Sequence, residues 1–218
     1  MSKLTENDYR LYLSARSPFA RVVRITLEEL RVGYEPVFVD VFNPTEEFLK
    51  VNPSGRVPVL ELMHLKECVS NEERFVIDSN AILTFLSQKY SSHNLFAGQY
   101  PPTQNQLERL RVDGFSTALL EISVYRILEK MRPLGTQLLA DLEEYEDRTD
   151  RVFRHLLPQG TYYFGEKFSV YDIRLGTALA YVDFRFGKEH LDRYPSLRGY
   201  LSNLEQRESF KKTVPKMT

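Results

Sequence analysis

Three short stretches of this 218-residue chain place hydroxyls, amide groups and a carboxylate where a polypeptide can hold a small anionic ligand. The first is Ser14-Ala15-Arg16-Ser17-Pro18-Phe19-Ala20-Arg21. Proline is favoured at the first helical position, so Pro18 makes Ser17 the natural N-cap of a helix. Its hydroxyl then sits beside unpaired N–H groups at the positive end of the helix dipole, where anions are held. A capping serine without chemistry fits the same residues. The second stretch, Arg56-Val57-Pro58-Val59, follows the turn formers Asn52-Pro53-Ser54-Gly55. A proline opening a strand after a tight turn is where cis bonds concentrate. A cis Val57-Pro58 bond would turn the amide groups of Val57 outward, free to pair with an extended peptide as an added strand. An ordinary trans edge-strand proline is the alternative. In the third, Val76-Ile77-Asp78-Ser79-Asn80, a strand runs straight into a helix. Asp78 and Ser79 stand at its N-terminus, where hydroxyl and N–H groups can hold a carboxylate while Asp78 accepts from an ammonium. A plain cap is again the competing reading.

These stretches need a scaffold, and the hydrophobic pattern supplies one. Tyr9–Leu13 reads as a strand, and a helix follows with Phe19, Val23, Leu27 and Leu30 on one stripe. A second strand over residues 34–41 completes a β-α-β unit, whose crossover is right-handed. A helix follows Pro44, residues 52–62 read as a turn entering a strand, a short strand is expected over residues 75–77, and a helix over residues 79–90. Residues 63–74 form a polar connection longer than a hairpin turn, expected to project as a loop. Turn formers over residues 91–106, with Gly98 and Pro101-Pro102, separate this mixed portion from one with only helical periodicity. The chain therefore divides into domains of residues 1–92 and 93–218. In the second, Leu107, Leu110, Gly114, Ala118, Ile122 and Tyr125 mark one amphipathic helix, and Leu138, Leu142, Tyr145, Thr149, Val152 and Leu156 another. Further helices are expected over residues 170–185 and 196–207. Ser169 and Asp172 form a variant capping box at the start of the former, with Phe168 and Ile173 placed as a hydrophobic staple.

Composition removes several classes of function. Lys and Arg number 29 against 30 Asp and Glu, and this balance argues against a polyanion-binding surface, so no nucleic-acid partner is expected. No apolar run approaches the roughly 20 residues needed to cross a bilayer, and the polar first residues lack a secretory h-region. Cys68 is the sole cysteine, which forbids an internal disulfide and suits the reducing cytosol. His64, His93, His155 and His190 lie far apart without a ligand spacing, so no metal site is expected.

Taken together, the motifs resemble the cytosolic glutathione transferases, and the resemblance covers nearly the whole chain. RSPFARVVRI is similar to the serine-type active-site motif of the theta, zeta and tau classes, and NPSGRVPVLE to the family's N-P-x-G-x-V-P-x-L. DSNAIL resembles its E/Q-S-x-A-I helix start, and FSVYDIRLGTAL the capping box of its helical domain. The resemblance implies a thioredoxin-like α/β domain that binds glutathione, followed by an all-helical domain that meets an electrophilic substrate, in a cytoplasmic homodimer. It implies that Ser17 donates a hydrogen bond to the glutathione sulfur, Val57 beside Pro58 pairs with the cysteinyl backbone, and Asp78 with Ser79 grips the γ-glutamyl end. Arg56 falls where some classes place a group near the glycyl carboxylate. Ser14 and Tyr12 are rivals for the sulfur contact, and the paired arginines Arg21 and Arg24 of the first helix anchor the motif in favour of Ser17. Phe19, Arg111, Phe115 and Tyr125 are candidates for walling an apolar substrate pocket, with core packing as the alternative.

The implied function is conjugation of glutathione to small apolar electrophiles, a detoxifying reaction, with a peroxidase side activity. A non-catalytic docking or dimerisation module, and a glutathione-dependent lyase, isomerase or dehalogenase, are the other readings. Two departures from the pattern stand out. Asp78 is shorter than the Glu or Gln usual at that place, and Pro18-Phe19 replace the second serine and the cysteine of the zeta pattern, which disfavours maleylacetoacetate isomerisation. No cysteine lies between Ser14 and Ala20, so thiol-disulfide exchange by the protein itself is not expected at this site.

Overall fold

The computed structural model describes residues 8–63, 74–96 and 104–216. Cys68, His64, most of the 63–74 connection and the turn formers Gly98, Pro101 and Pro102 lie outside the described residues. The chain divides into two compact units, residues 1–97 with 212–218, and residues 98–211.

The first unit holds a four-stranded sheet in the order β2-β1-β3-β4, with β1 Tyr9–Leu13, β2 Tyr34–Phe38, β3 Val59–Leu62 and β4 Phe75–Ile77. β1 pairs parallel with β2 and antiparallel with β3, and β4 returns antiparallel to β3. Alternation along β1 sends Tyr9, Leu11 and Leu13 into the core. Tyr9 meets Phe85 of α3 (Ser79–Lys89), which packs beside α1 (Pro18–Leu30). On the opposite face Tyr12 meets Phe48 of the short helix α2 (Glu46–Val51). The sheet is thus covered on both sides, which explains why all four residues of β3 are buried rather than alternating.

Two details of this unit differ from the sequence expectation. β2 ends at Phe38 rather than continuing to residue 41, because Asp40 accepts from the Phe42 N–H and the Asn43 amide and closes a turn there. The buried face of α1 is Ala20, Val23 and Leu27 with Val22 and Ile25, while Phe19 and Leu30 are only half-buried.

The second unit is built from helices, α4 Gln104–Lys130, α5 Leu139–Phe153, α6 Val170–Phe186, α7 Glu189–Asp192, α8 Pro195–Leu204 and α9 Glu208–Lys212, the last running into the first unit, with an isolated bridge between Tyr162 and Gly165 in the α5–α6 connection. Arg109 lies over Tyr171, Asp113 pairs with Arg174, and Arg126 lies over Phe186, so α4 and α6 run parallel in register. α5 runs antiparallel to α4, with Phe115 against His155 and Tyr125 against Tyr145. The face that α4 buries matches the expected stripe only in part, since of that stripe Ile122 is buried and Leu107, Leu110, Gly114 and Tyr125 are exposed. Val112, Ser116, Leu119, Leu120, Ser123 and Arg126 face inward, whereas Leu107 is 74% and Leu110 52% exposed. α4 carries apolar residues on two faces, and the inward one contains serines that hydropathy scores as polar. The Ser116 hydroxyl answers the Val112 carbonyl and so becomes compatible with burial.

Candidate functional site

The topology brings the three stretches to one edge of the sheet. β3 runs antiparallel to β1, so its beginning, at Pro58 and Val59, adjoins the carboxyl end of β1, with Val59 opposite Tyr12. β4 runs antiparallel to β3, so its carboxyl end, Ile77, pairs with the same Val59. The order along this edge is therefore the loop after Leu13, then Pro58, then Asp78. Asp78 N–H donates to the Pro58 carbonyl at 3.4 Å, closing the row.

Each element of the row is fixed locally. Ser17 N–H donates to the Ser14 carbonyl at 3.0 Å, turning the chain sharply out of β1. Ser17 Oγ then accepts from Ala20 N–H at 3.2 Å and caps α1, with Pro18 at the first helical position. Because the oxygen is the acceptor in that bond, the hydroxyl proton stays available, and it has no acceptor among the described residues. Asn52 shapes the next loop. Its buried side chain donates to the Arg56 carbonyl at 2.7 Å and accepts from Ser54 N–H and Oγ, while its carbonyl accepts from Gly55 N–H. Gly55 has φ +67°, the left-handed region this turn requires. The Val57-Pro58 bond that follows is cis, and neither the N–H nor the C=O of Val57 is hydrogen-bonded among the described residues. The Arg56 side chain is exposed beside them.

Asp78 caps α3 by accepting from Asn80 N–H at 2.7 Å, and does so at φ +81° and ψ 141°. A non-glycine residue in that region stores about 1–3 kcal/mol of strain, which persists only where the surroundings impose it. Here the imposition comes from a strand end joined without spacer to a helix start. Ser79 opens the helix and is buried.

The edge therefore offers a hydroxyl donor at a helix N-terminus, a free amide pair, and an acid with a helix start, in that order. Two family models match the chain: the glutathione S-transferase N-terminal domain over residues 11–94 and the glutathione S-transferase C-terminal domain over residues 132–203. The chain belongs to the glutathione S-transferase family. Among its relatives, glutathione S-transferase DHAR3, chloroplastic, of Arabidopsis thaliana is 29% identical over 90% of this chain and 68% of its own length. Maleylacetoacetate isomerase maiA of Aspergillus fumigatus is 25% identical over 97% and 92%. The crystal structure of a glutathione S-transferase from Methylobacterium radiotolerans in complex with glutathione sulfonate superposes with a TM-score of 0.82, at 26% identity and covering 96% of each chain. The thioredoxin-like sheet and the all-helical unit are the fold of this family.

Other residues singled out in the transferase sequence fall into three groups. Tyr12 is committed elsewhere: its hydroxyl donates to Glu61 at 3.1 Å, and Glu61 also pairs with Arg10 at 3.1 Å and Arg74 at 3.6 Å. Burial, then the neighbouring Glu61 charge, raises the Tyr12 pKa, which keeps it a neutral donor. Ser14 contributes its carbonyl to the turn at Ser17. In the helical unit, Arg111 lies over the Phe115 ring, and Tyr125 is 51% exposed and stacked on Tyr145. Phe115 is half-buried against His155.

The capping box at α6 is present and larger than the sequence suggested. Asp172, wholly buried, accepts from Ser169 N–H and Oγ at 2.8 Å each, from Tyr163 N–H at 2.7 Å and from Tyr200 Oη at 2.9 Å. Burial raises its carboxyl above the ordinary range, and the four donors offset only part of that rise. The Phe168 ring packs on Tyr162 and under the Arg207 guanidinium.

Asn52 stands in the sequence only as a turn former, although an Asn in a turn is suited to bonding the backbone N–H two residues on, as it does here with Ser54. Arg21 and Arg24 anchor the motif's alignment on Ser17 in the sequence, which leaves their own contacts unspecified. They point to the C-terminal segment: Arg24 donates to the Lys212 and Thr213 carbonyls, and Arg21 to Thr213 Oγ1. Among the described residues no group of His, Cys, Asp and Glu could hold a metal ion, and no helix is long and apolar enough to cross a membrane.

Proposed function

We propose that this chain is a glutathione-dependent transferase that attacks small apolar electrophiles with the glutathione thiolate, with Ser17 as the catalytic residue. The observation that carries this reading is the Ser17 hydroxyl, which accepts from Ala20 N–H and keeps its own proton for a ligand at the N-terminus of α1. A free thiol with a pKa near 8.5 is only a few per cent ionised at neutral pH. A hydroxyl donor and a helix dipole that together lower it by about two units supply roughly 2.7 kcal/mol, at 1.36 kcal/mol per unit. Ser17 keeps its proton throughout. It acts as a preorganised donor to sulfur, and the sulfur forms the new bond to carbon.

The rest of the edge serves binding. The free amide groups of Val57 pair with the cysteinyl backbone of the tripeptide in the manner of an added strand. Asp78 accepts from the γ-glutamyl ammonium while the Ser79 hydroxyl and N–H at the start of α3 receive its carboxylate. Arg56 reaches the glycyl carboxylate. Phe19, Arg111, Phe115 and Tyr125 stay candidates for contact with the electrophile. The relatives' names span more than one reaction, and the residues at Ser17, which supply a donor and no protein thiol, favour transfer. We place the reaction in the cytosol and in a homodimer, and the apolar residues that α4 leaves exposed, Leu107, Leu110 and Leu128, support the dimer.

The test is an ultraviolet difference titration of bound glutathione, run beside a panel of electrophiles and peroxides, for the wild type and Ser17→Ala. The expected result is a bound thiol that ionises below neutrality in the wild type and close to pH 8.5 in the variant, with kcat lower by about tenfold or more. A variant with full rate on every active substrate removes Ser17 from the mechanism. Absence of glutathione binding by the wild type favours the docking-module reading.

A further inference from the structure

Helix α1 carries Ser17 at one end and is gripped along one stripe by a segment nearly two hundred residues away in sequence. Arg21, Arg24 and Glu28 stand at the three- and four-residue spacings that share a helix face. Arg24 Nη1 and Nη2 each donate at 3.4 Å, to the carbonyls of Thr213 and Lys212, and its Nε donates to Tyr34 Oη of β2 at 3.3 Å. Lys212 Nζ pairs with Glu28 at 3.1 Å. Arg21 Nε reaches Thr213 Oγ1 at 3.5 Å, where Arg21 is 4% and Thr213 1% exposed. The carbonyls that Arg24 takes up are those the end of α9 leaves without helical donors, and a guanidinium is suited to both their geometry and their partial charge.

We infer that the Lys212–Thr213 segment is a positioning element for the sulfur site, holding α1 through Arg21 and Arg24 so that its N-terminus stays aimed at the ligand. Arg21 N–H makes the first intrahelical bond to the Ser17 carbonyl, at 3.0 Å, so the residue that meets Thr213 is also the one that closes the turn capped by Ser17. Arg24 ties the same helix to β2, the neighbour of the strand from which the Ser17 loop departs. A helix held at both its sheet face and this stripe has little freedom to tilt. The dipole and cap geometry that a sulfur anion would experience are then fixed before any ligand arrives. Neither arginine nor Thr213 is a catalytic residue here, because each acts through the helix.

This inference rests on the sulfur-site reading above, and its test keeps the two apart. A thiol placed at the cap reports the field there without glutathione. In a Cys68→Ser background, Ser17→Cys makes position 17 the sole thiol, and its alkylation by iodoacetamide is followed against pH. Thr213→Val removes the acceptor and keeps the shape, Thr213→Ser keeps the acceptor, and Arg24→Gln releases the two carbonyls. The expected result is that the alkylation rate at neutral pH falls about threefold in Thr213→Val and in Arg24→Gln, with an upward shift of the profile, while Thr213→Ser retains the parent rate. An unchanged profile in whichever of the two variants keeps a native circular dichroism spectrum overturns the inference and reduces the segment to a stabilising contact. Titration of bound glutathione in Thr213→Val, with Ser17 left in place, is the second arm, where the thiol pKa should move in the same direction. Failure of the wild type to bind glutathione sinks the sulfur-site reading alone, and the alkylation rates of the thiol at position 17 still decide the role of the segment.

Discussion

Asp78 concentrates a structural cost and a binding role in one residue. Its φ of +81° is held by its place between β4 and α3, and its carboxylate both caps α3 and faces the end of the site row. Asp78→Asn keeps the cap acceptor and the shape and removes the negative charge. On the proposed reading, KM for glutathione should rise about tenfold, the worth of one charge-assisted contact, with kcat nearly constant. Initial rates over a range of glutathione concentrations measure this, and a fall in kcat with unchanged KM would place Asp78 in the chemistry instead. At this scale much was legible in the sequence, because Ser17 before Pro18, Pro58 after a turn, and Asp78 at a strand-helix junction are local features decided by neighbours in the chain. The commitment of Tyr12 to Glu61 was not legible. It depends on the pairing register of β1 with β3 and on Arg10 and Arg74 gathering around the same carboxylate.

Helix α6 shows how an element is anchored from one end. Asp172 gathers a cap, a loop amide and a tyrosine of α8 around one buried carboxylate, so its removal strands several donors at once. Asp172→Ala should lower unfolding stability by about 3 kcal/mol, in the range seen when a buried hydrogen-bond network loses its centre. Urea unfolding measures it, and a loss under about 1 kcal/mol would show that water replaces the acid. Further along, a methyl group added at Gly176 would come within 2.5 Å of Leu204 Cδ1 and 3.0 Å of Phe210 Cε1. Gly176→Ala should therefore cost about 1–3 kcal/mol by overpacking α6 against α8 and α9, despite the better helix propensity of alanine. A variant as stable as the parent in the same unfolding experiment would mean that those two side chains yield freely. The box at Ser169 and Asp172 was readable because capping is written in four consecutive residues. The buried face of α4 was legible only at Ile122, since Ser116 and Ser123 face inward while Leu107 and Leu110 face out, and only the partner helix selects between the two faces.

For the molecule as a whole, acid sensitivity has an identifiable contributor at the meeting of α4, α5 and α7. His190 is mostly buried, and desolvation lowers its pKa below the ordinary 6.5. Glu146 at 3.6 Å opposes the shift, while Arg126 and Arg193 add to it. The unfolded imidazole takes up a proton near 6.5 and the folded one only at lower pH, so the unfolded state binds more protons in that interval and stability declines as pH falls through it. Urea midpoints measured between about pH 7 and about pH 5 should drop less steeply in His190→Gln than in the wild type, and equal slopes would clear this histidine. Of the overall architecture, the alternating strands and helices and the later helical run were readable from periodicity. The return of residues 212–216 to the first unit was not, because no local pattern specifies which distant arginines a short polar tail will meet.

The sheet's borders carry a consequence for assembly. β2 forms one border with Pro36 at its midpoint, and β4 forms the other with only three residues. A proline supplies no N–H for an incoming chain, and a three-residue border is too short to template one. Growth by strand-to-strand stacking into fibres is thereby discouraged on both sides, which leaves side-chain packing as the favoured way for copies of this chain to meet.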